Sequence, residues 1–468
     1  MAATDTRQRS SGGLDAFFRI TERGSTVRTE VIAGVATWLT MAYILFLNPA
    51  ILGTVPDRDG VQLAFPDVLT VTALAAGVMS IAMGVVGRYP FAIAAGLGLN
   101  AFVTFTLVAT LGLSWPEAMG VIVIEGLIIS VLVLTGFRTA VMNAIPMDLK
   151  RAIGIGIGLF IAFIGLVNAG VVVQGEGTPV TLAGDLSTLR ILTFAVGFII
   201  TASLVARKVR GALLLGILGT TIFAILLNYL WGNEAIWADL PGVSLWPSDI
   251  VASPSFDLVG NFSVTGVFDQ LAFFTAVAVI LSVMLSDFFD TMGTVIGIGG
   301  EANLLDEKGQ LPGVNRVLFV DSVGAVVGGM TSSSSNTTYI ESAAGVSEGG
   351  RTGLASVVTG VLFLLAIFLS PIAGVIPPEA TAPVLVIVGY FMMTLVRDIE
   401  WGDPGIGIPA LLTISVMPFT YSITNGVGAG FVAYVLIQVA RGRAAQVHWL
   451  LYLVSGVFIW YFVRGLLA

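Results

Sequence analysis

Long apolar runs recur along the chain, each near the length needed to cross a bilayer and each separated from the next by a short polar or charged stretch. A membrane helix takes about 20 apolar residues. Such windows fall at 30–52, 67–87, 89–111, 117–136, 148–169, 190–206, 211–231, 270–298, 314–330, 331–346, 352–371, 382–396, 406–422 and 427–440. The pattern predicts an all-α polytopic membrane protein of fourteen spans. A last apolar stretch, 447–466, lies beyond that pattern.

The third and tenth windows break the helical pattern. One reads YPFAIAAGLGLNAFVTFTLV from Tyr89; the other reads TSSSSNTTYIESAAGV from Thr331. The polar run 331–338 cannot face lipid and is tolerable only against protein or a wet cavity. Each reads as a short extended piece followed by a half-helix, starting near Leu97 and near Tyr339. Paired interrupted segments in corresponding halves point to a transporter's binding site, with the positive ends of the half-helices aimed at it.

An internal repeat supports this correspondence. IPMDLKRAIGIGIGLF at Ile145 recurs 231 positions later as IPPEATAPVLVIVGYF at Ile376, with Ile145/Ile376, Pro146/Pro377, Gly158/Gly389 and Phe160/Phe391 in register. These segments are the fifth and twelfth spans, seven apart. An odd interval turns the second half over in the membrane, which predicts two inverted repeats of seven.

Composition agrees: of 468 residues, 56% are hydrophobic and 11% charged, against roughly 45–50% and 25% in soluble domains. The absence of Cys and the single His448 argue against thiolate or histidine metal sites, and no cofactor is expected. A net charge of -8 argues against nucleic acid as a partner. The first 28 residues carry five Arg, and the first apolar window is too long for a signal peptide. With the N-terminus in the cytoplasm, 18 of the 21 Lys and Arg fall on that side, leaving Arg58, Arg190 and Arg464 outside. The stretch 232–269 has acids but no Lys or Arg, as suits an external loop.

Charges at bilayer depth cost about 2.5–3.5 kcal/mol each even on the lenient insertion scale, so each is a functional candidate. They are Glu125, Asp287, Asp290, Asp321 and Glu341, with no Lys or Arg at similar depth. A buried carboxyl lacking a cation disfavours ionisation, and a carboxyl that gains and loses a proton is what proton-coupled transport needs. Asp287 and Asp290 share one helix face; both are expected to serve proton coupling, and Asp287 also substrate. Glu341 ends Thr338-Tyr339-Ile340-Glu341, a capping-box pattern, yet at that depth it is expected at the binding site and in proton coupling. Asn100, in the first turn of the other half-helix, is expected there too. Glu125 and Asp321 read as structural before they read as relays. Phe102, Phe288, Phe289 and Tyr339 could stack on a flat ligand, with Tyr339 favoured because it adjoins the break. Gly96 and Gly98 would let the backbone turn and approach a ligand.

TEVIAGVATWLTMAYILFLNPAIL at Thr29, AGLGLNAF at Ala95, SDFFDTMGT at Ser286 and SSSNTTYIESAAGVSEGGRTG at Ser333 together resemble the AzgA-like purine permease branch of the nucleobase-cation symporter 2 family. The resemblance implies a core domain at 29–136 and 270–371, and a gate domain at 137–231 and 372–440. These would be flanked by a cytoplasmic tail, 1–28, the external loop 232–269 and the C-terminal apolar segment 441–468. It implies short strands in the broken third and tenth spans, and a site built from Asp287, Glu341, Asn100 and Asp290, to which the reading of the residues themselves adds Tyr339 and Gly98. It also implies a homodimer in the cell membrane. The expected function is import of hypoxanthine, guanine or adenine with protons rather than sodium, the core moving against the gate. Alternatives are an anion carrier of the same architecture, which would want a cation at the half-helix ends, or a passive nucleobase channel. An enzyme is not expected, since no intramembrane His, Lys or Cys could act as an activated base or nucleophile.

Overall fold

The fold is described from a computed structural model covering residues 13–135, 145–231, 251–301, 311–373 and 375–467, with Trp237 and Leu304. Within them the chain is mostly helical, and each of the fourteen apolar windows carries helix, or strand and helix. Numbered in chain order, segments 1 to 7 are Val27–Leu52, Phe65–Gly87, 93–110, Trp115–Leu134, Met147–Asn168, Leu189–Ala206 and Ala212–Leu230. Segments 8 to 14 are Phe273–Glu301, Val314–Met330, 336–347, Gly353–Leu369, Pro378–Asp398, Pro404–Phe419 and Ile423–Ala440. Eight described helices are long and apolar enough to cross a bilayer. The shorter apolar helices include Leu97–Thr110 of segment 3, Gly353–Leu369 and Pro404–Phe419, while segment 8 runs for 29 residues and carries Asp287 and Asp290 within it.

Helix starts follow the local chemistry. Ser114 and Glu117 form a capping box at the head of segment 4. Thr26, Asp403 and Ser422 each accept a backbone N–H at the head of segments 1, 13 and 14.

Segments 1–4 pack with 8–11, and segments 5–7 with 12–14. Without a hydrophobic drive between helices in lipid, close packing falls to small residues, and glycines mark the tightest crossings. Gly84 lies against Gly353, and Gly77 against Gly360, where segment 2 meets 11. Where 4 meets 9, Gly126 lies against Val326 and Gly329 against Val123. Adding seven to 2 gives 9, and subtracting seven from 11 gives 4, so the two crossings are copies of one contact. Segments 5 and 12 cross at Gly158 and Gly389, two residues that the sequence repeat aligned. The inverted repeat is thus present in the packing, with segments 5 and 12 against each other at its axis.

The broken segments meet as an antiparallel pair, Ile93–Ala95 with Asn336–Thr338, in the register Ile93↔Thr338, Ala94↔Thr337 and Ala95↔Asn336. The first half-helix starts at Leu97, as expected; the second starts at Ser342, three residues after the expected Tyr339. The chain stays extended through Thr338 because a strand partner takes its backbone. A second small strand pair, Val172–Val173 with Thr181–Leu182, lies between segments 5 and 6, where no strand was expected. The C-terminal helix Trp449–Leu467 packs on segments 8 and 14. There Phe458 meets Phe431 edge-on at 6.3 Å and Ser455 donates to the Phe431 carbonyl at 3.2 Å.

A side chain at Gly353 would collide with the Gly84 carbonyl. Gly353→Ala should therefore cost about 1–3 kcal/mol, read as a lower melting temperature of the purified protein in detergent. Gly154→Ala, which meets nothing within 4 Å, should leave that temperature unchanged or raise it.

Candidate functional site

At bilayer depth the polar groups of the two breaks must find partners within the protein. Beyond the strand pair, Ser80 Oγ accepts the Ile93 N–H at 2.9 Å and donates to the Ile93 carbonyl at 3.0 Å. The Gly96 N–H reaches the Ser335 carbonyl and the Tyr339 N–H the Ala92 carbonyl, each at 2.9 Å. Ser332 and Ser334 adopt left-handed φ of 58° and 71°, uncommon for residues with a side chain. Ser332 is held there by its own hydroxyl, which donates to the Leu258 carbonyl at 3.0 Å. Asn48 of segment 1 supports the same turn, its Nδ2 donating to the Ser333 carbonyl at 3.0 Å and to Thr72 Oγ1 at 2.8 Å.

The five acids at depth have different surroundings. Asp321 accepts three hydrogen bonds, from the Thr338 N–H at 2.8 Å and from the Thr338 and Thr291 hydroxyls at 2.7 Å each. It pins segment 9 to the strand pair, the structural role foreseen for it. The Thr338 hydroxyl is thereby taken, and the capping box suggested by the sequence does not form. Glu341 instead accepts from the Tyr43 hydroxyl at 2.6 Å, and its carbonyl accepts from Thr40 at 3.3 Å. Glu341 is half-buried and Asp290 exposed, close enough to act on one another electrostatically, with Tyr43 and Tyr339 beside them. Asp287, three residues away, is only 1% exposed. It turns inward, with Ser335 Oγ at 3.5 Å and Glu125 as neighbours.

Exposure therefore separates the two acids of segment 8 in a way that their spacing on one face could not show. Among the described residues none of Glu125, Asp287, Asp290 and Glu341 forms an ion pair with Lys or Arg. Asn100 is fully buried, its Nδ2 donating to Asn48 Oδ1 at 3.1 Å, which ties the half-helix to segment 1. Tyr339 is buried, and its hydroxyl donates to the Ala95 carbonyl across the strand pair. Its ring is thus part of the frame. Phe102 and Phe288 are buried; the Phe289 side chain lies outside the described residues. Gly98 is half-exposed, and a Cβ there would stand 2.6 Å from Ile157 Cγ2 of segment 5. Its bareness lets the half-helix close on the second packing group.

Sequence reasoning missed Thr40, Tyr43 and Asn48. The signal was present, since polar groups at 40, 43 and 48 interrupt an otherwise apolar window, but nothing in the chain text said what they would meet.

The two sides of this site are unlike. Toward the end of segment 3 at Thr110, four rings from both packing groups close together. Tyr421 stands 5.9 Å from Phe105, 5.5 Å from Phe160 and 5.4 Å from Phe163. On the other side Ile340 is 53% exposed and Asp290 is accessible. Beyond Ile340 the half-helix Ser342–Ser347 leads on to Arg351, whose carbonyl, like that of Arg88, accepts from the Arg23 guanidinium.

Residues 28–429 match the model of a family described as a permease family. The chain is similar to the adenine permease AdeQ of Escherichia coli, 38% identical over 97% of each chain. It is likewise similar to the guanine/hypoxanthine permease PbuG of Bacillus subtilis, 39% identical over 96% of this chain and 99% of that one. Among solved structures, the transmembrane domain of the cyanobacterial bicarbonate transporter BicA shares the fold. Its TM-score is 0.60 at 15% identity, over 86% of this chain and 97% of that one.

The protein has no cysteine, so a single introduced thiol reports access directly. Ile340→Cys should react with a membrane-impermeant maleimide supplied at the Arg-rich face. Ser334→Cys, at a fully buried position, should stay unlabelled.

Proposed function

This chain belongs to the permease family, and from that membership we propose that it imports purine nucleobases together with protons. It is a multi-pass membrane transporter and not an enzyme. Relatives that carry the names of adenine and of guanine/hypoxanthine permeases support the substrate class. The observation that carries the reading is that Glu341 and Asp290, neither of them fully buried, stand near each other beside the broken segments with no Lys or Arg partner among the described residues.

A purine is flat and neutral, and its edge is ringed with donors and acceptors. Burying that edge unpaired would be costly; two carboxyls can hold it bidentately, and each accepts when ionised and donates when protonated. Glu341 is oriented for this by the Tyr43 hydroxyl. In this reading Glu341 and Asp290 meet the base, Asp287 serves the proton, and Asn100, Tyr339 and Gly98 hold the half-helices that shape the floor. A fixed anion would be repelled by the same acids, which disfavours the anion carrier.

Segments 1–4 and 8–11 are the moving core, and 5–7 with 12–14 the gate. With the N-terminus and the Arg-rich face in the cytoplasm, the crevice is open inward and the rings around Tyr421 close the outside. Substrate and proton would release in this state, and the core would then tilt against the gate to open the other side. The gate also carries the proposed dimer contact, since segments 6 and 7 are the least buried of the long helices.

In cells lacking other purine uptake, Glu341→Gln and Asp290→Asn should each lower uptake of labelled adenine or hypoxanthine by at least about tenfold at equal expression. Wild-type rates in Glu341→Gln would remove the site. Tyr43→Phe should act more mildly, raising KM by about tenfold or less. Uptake should collapse with an uncoupler; concentration of the base that ignores the proton gradient would contradict symport, and purely downhill flux would indicate a channel.

A further inference from the structure

We propose that Glu125 and Asp287 form a carboxyl pair that shares the coupled proton. The proposal rests on the proton-symport reading above and names where the proton resides. Glu125, on segment 4, is fully buried, and neither carboxyl oxygen meets a hydrogen-bond donor. Asp287, on segment 8, is almost as buried; its Oδ1 meets no donor, and its Oδ2 has only the distant Ser335 hydroxyl. Segments 4 and 8 pack against each other, and the two acids are neighbours in that contact.

Two ionised carboxylates offer each other only lone pairs, so this contact is a hydrogen bond only when one of them holds a proton. Both charges together in a dry site would repel with little screening. The groups around the pair do not relieve it. Segment 10 presents Ser335; segment 9 presents Asp321, whose oxygens are engaged by Thr338 and Thr291; segment 8 adds Asp290 one turn away. Packing keeps the place dry, because Gly126, next to Glu125, lets segment 9 approach so that a Cβ there would stand 2.7 Å from the Val326 N–H nitrogen.

The consequence is a coupling device. Asp287 shares its helix with Asp290 and reaches Ser335 in the broken strand, so the pair's charge is felt at both structures that frame the base. A proton taken from water and shared by the pair lowers its charge from two negative to one, which favours a second group of carboxyls nearby gripping a purine edge. When the proton returns to water on the inside, the restored negative charge weakens that grip. Linkage makes the effect mutual: the base must then raise proton affinity by the factor by which the proton raises base affinity.

The test uses the full-length protein in proteoliposomes and in detergent, with labelled hypoxanthine or adenine as probe. In wild type, base addition to unbuffered protein should take up protons, and the infrared difference spectrum should show a protonated-carboxyl band that shifts when glutamate is isotopically labelled. Glu125→Gln should lose accumulation driven by a pH gradient by at least about tenfold and should flatten the pH dependence of base binding, while equilibrium affinity at low pH changes far less. Glu125→Asp should keep accumulation with a displaced pH midpoint. Glu125→Gln that accumulates base with wild-type pH dependence, or a wild-type carboxyl band untouched by glutamate labelling, overturns the pair while leaving symport intact. Wild-type uptake that is indifferent to the proton gradient overturns the symport reading and the pair with it. The infrared arm needs no variant, so a misfolded Glu125→Gln would not spare the proposal.

Discussion

A polypeptide that leaves helical geometry at the depth of a bilayer has no water to bond its backbone, and this protein does so twice. The solution is one short antiparallel pair, Ile93–Ala95 with Asn336–Thr338, in which each break supplies the other's missing partners. Everything around the site follows from keeping that pair in place. Asp321 and Thr291 fasten it from below, Ser80 and Asn48 from the side, and the Tyr339 hydroxyl bridges it to Ala95. The pair in turn sets where the half-helices begin, and so where Leu97 and Ser342 open two backbone ends toward a common space.

The same confinement grades the acids. Five carboxyls lie at depth, and the number of donors around each separates their roles. Asp321 accepts three short hydrogen bonds. Glu341 has one strong donor, Tyr43, and an open side. Asp287 has one long contact, and Glu125 meets no donor. A charge is stabilised where donors converge and penalised where they do not. One acid therefore reads as a rivet, two as contacts for a polar ligand, and two as holders of a proton.

The proposed movement between the two packing groups requires surfaces that can part. Within each group glycines let helices meet at backbone distance, as at Gly84 with Gly353 and Gly158 with Gly389. Such contacts interlock. Between the groups the contact is made of rings, Phe105 against Phe160 and Tyr421, together with the bare Gly98 against Ile157. Edge-on rings and an unbranched backbone separate without breaking strong hydrogen bonds. Among the described residues the hydrogen bond across this contact is a long one of 3.5 Å, from the Thr106 hydroxyl to the Tyr421 carbonyl.

Periodicity and polarity along the chain were enough for the membrane class, the fourteen apolar segments, the seven-segment repeat and the two breaks, because lipid penalises polar groups segment by segment. The start at Leu97 and the list of acids at depth could be read in the same way. The partners could not. Glu341 looked like a helix cap until Asp321, seventeen residues before Thr338 and on another helix, took the threonine hydroxyl. Asp287 and Asp290 looked equivalent on one face until packing buried one against Glu125 and left the other in the crevice. Tyr43 and Glu341 are 298 residues apart, and no local pattern links them. What each segment tolerates is a property of its own side chains against lipid, and the chain states it; which polar group meets which depends on how inverted halves cross, and only the folded whole decides that.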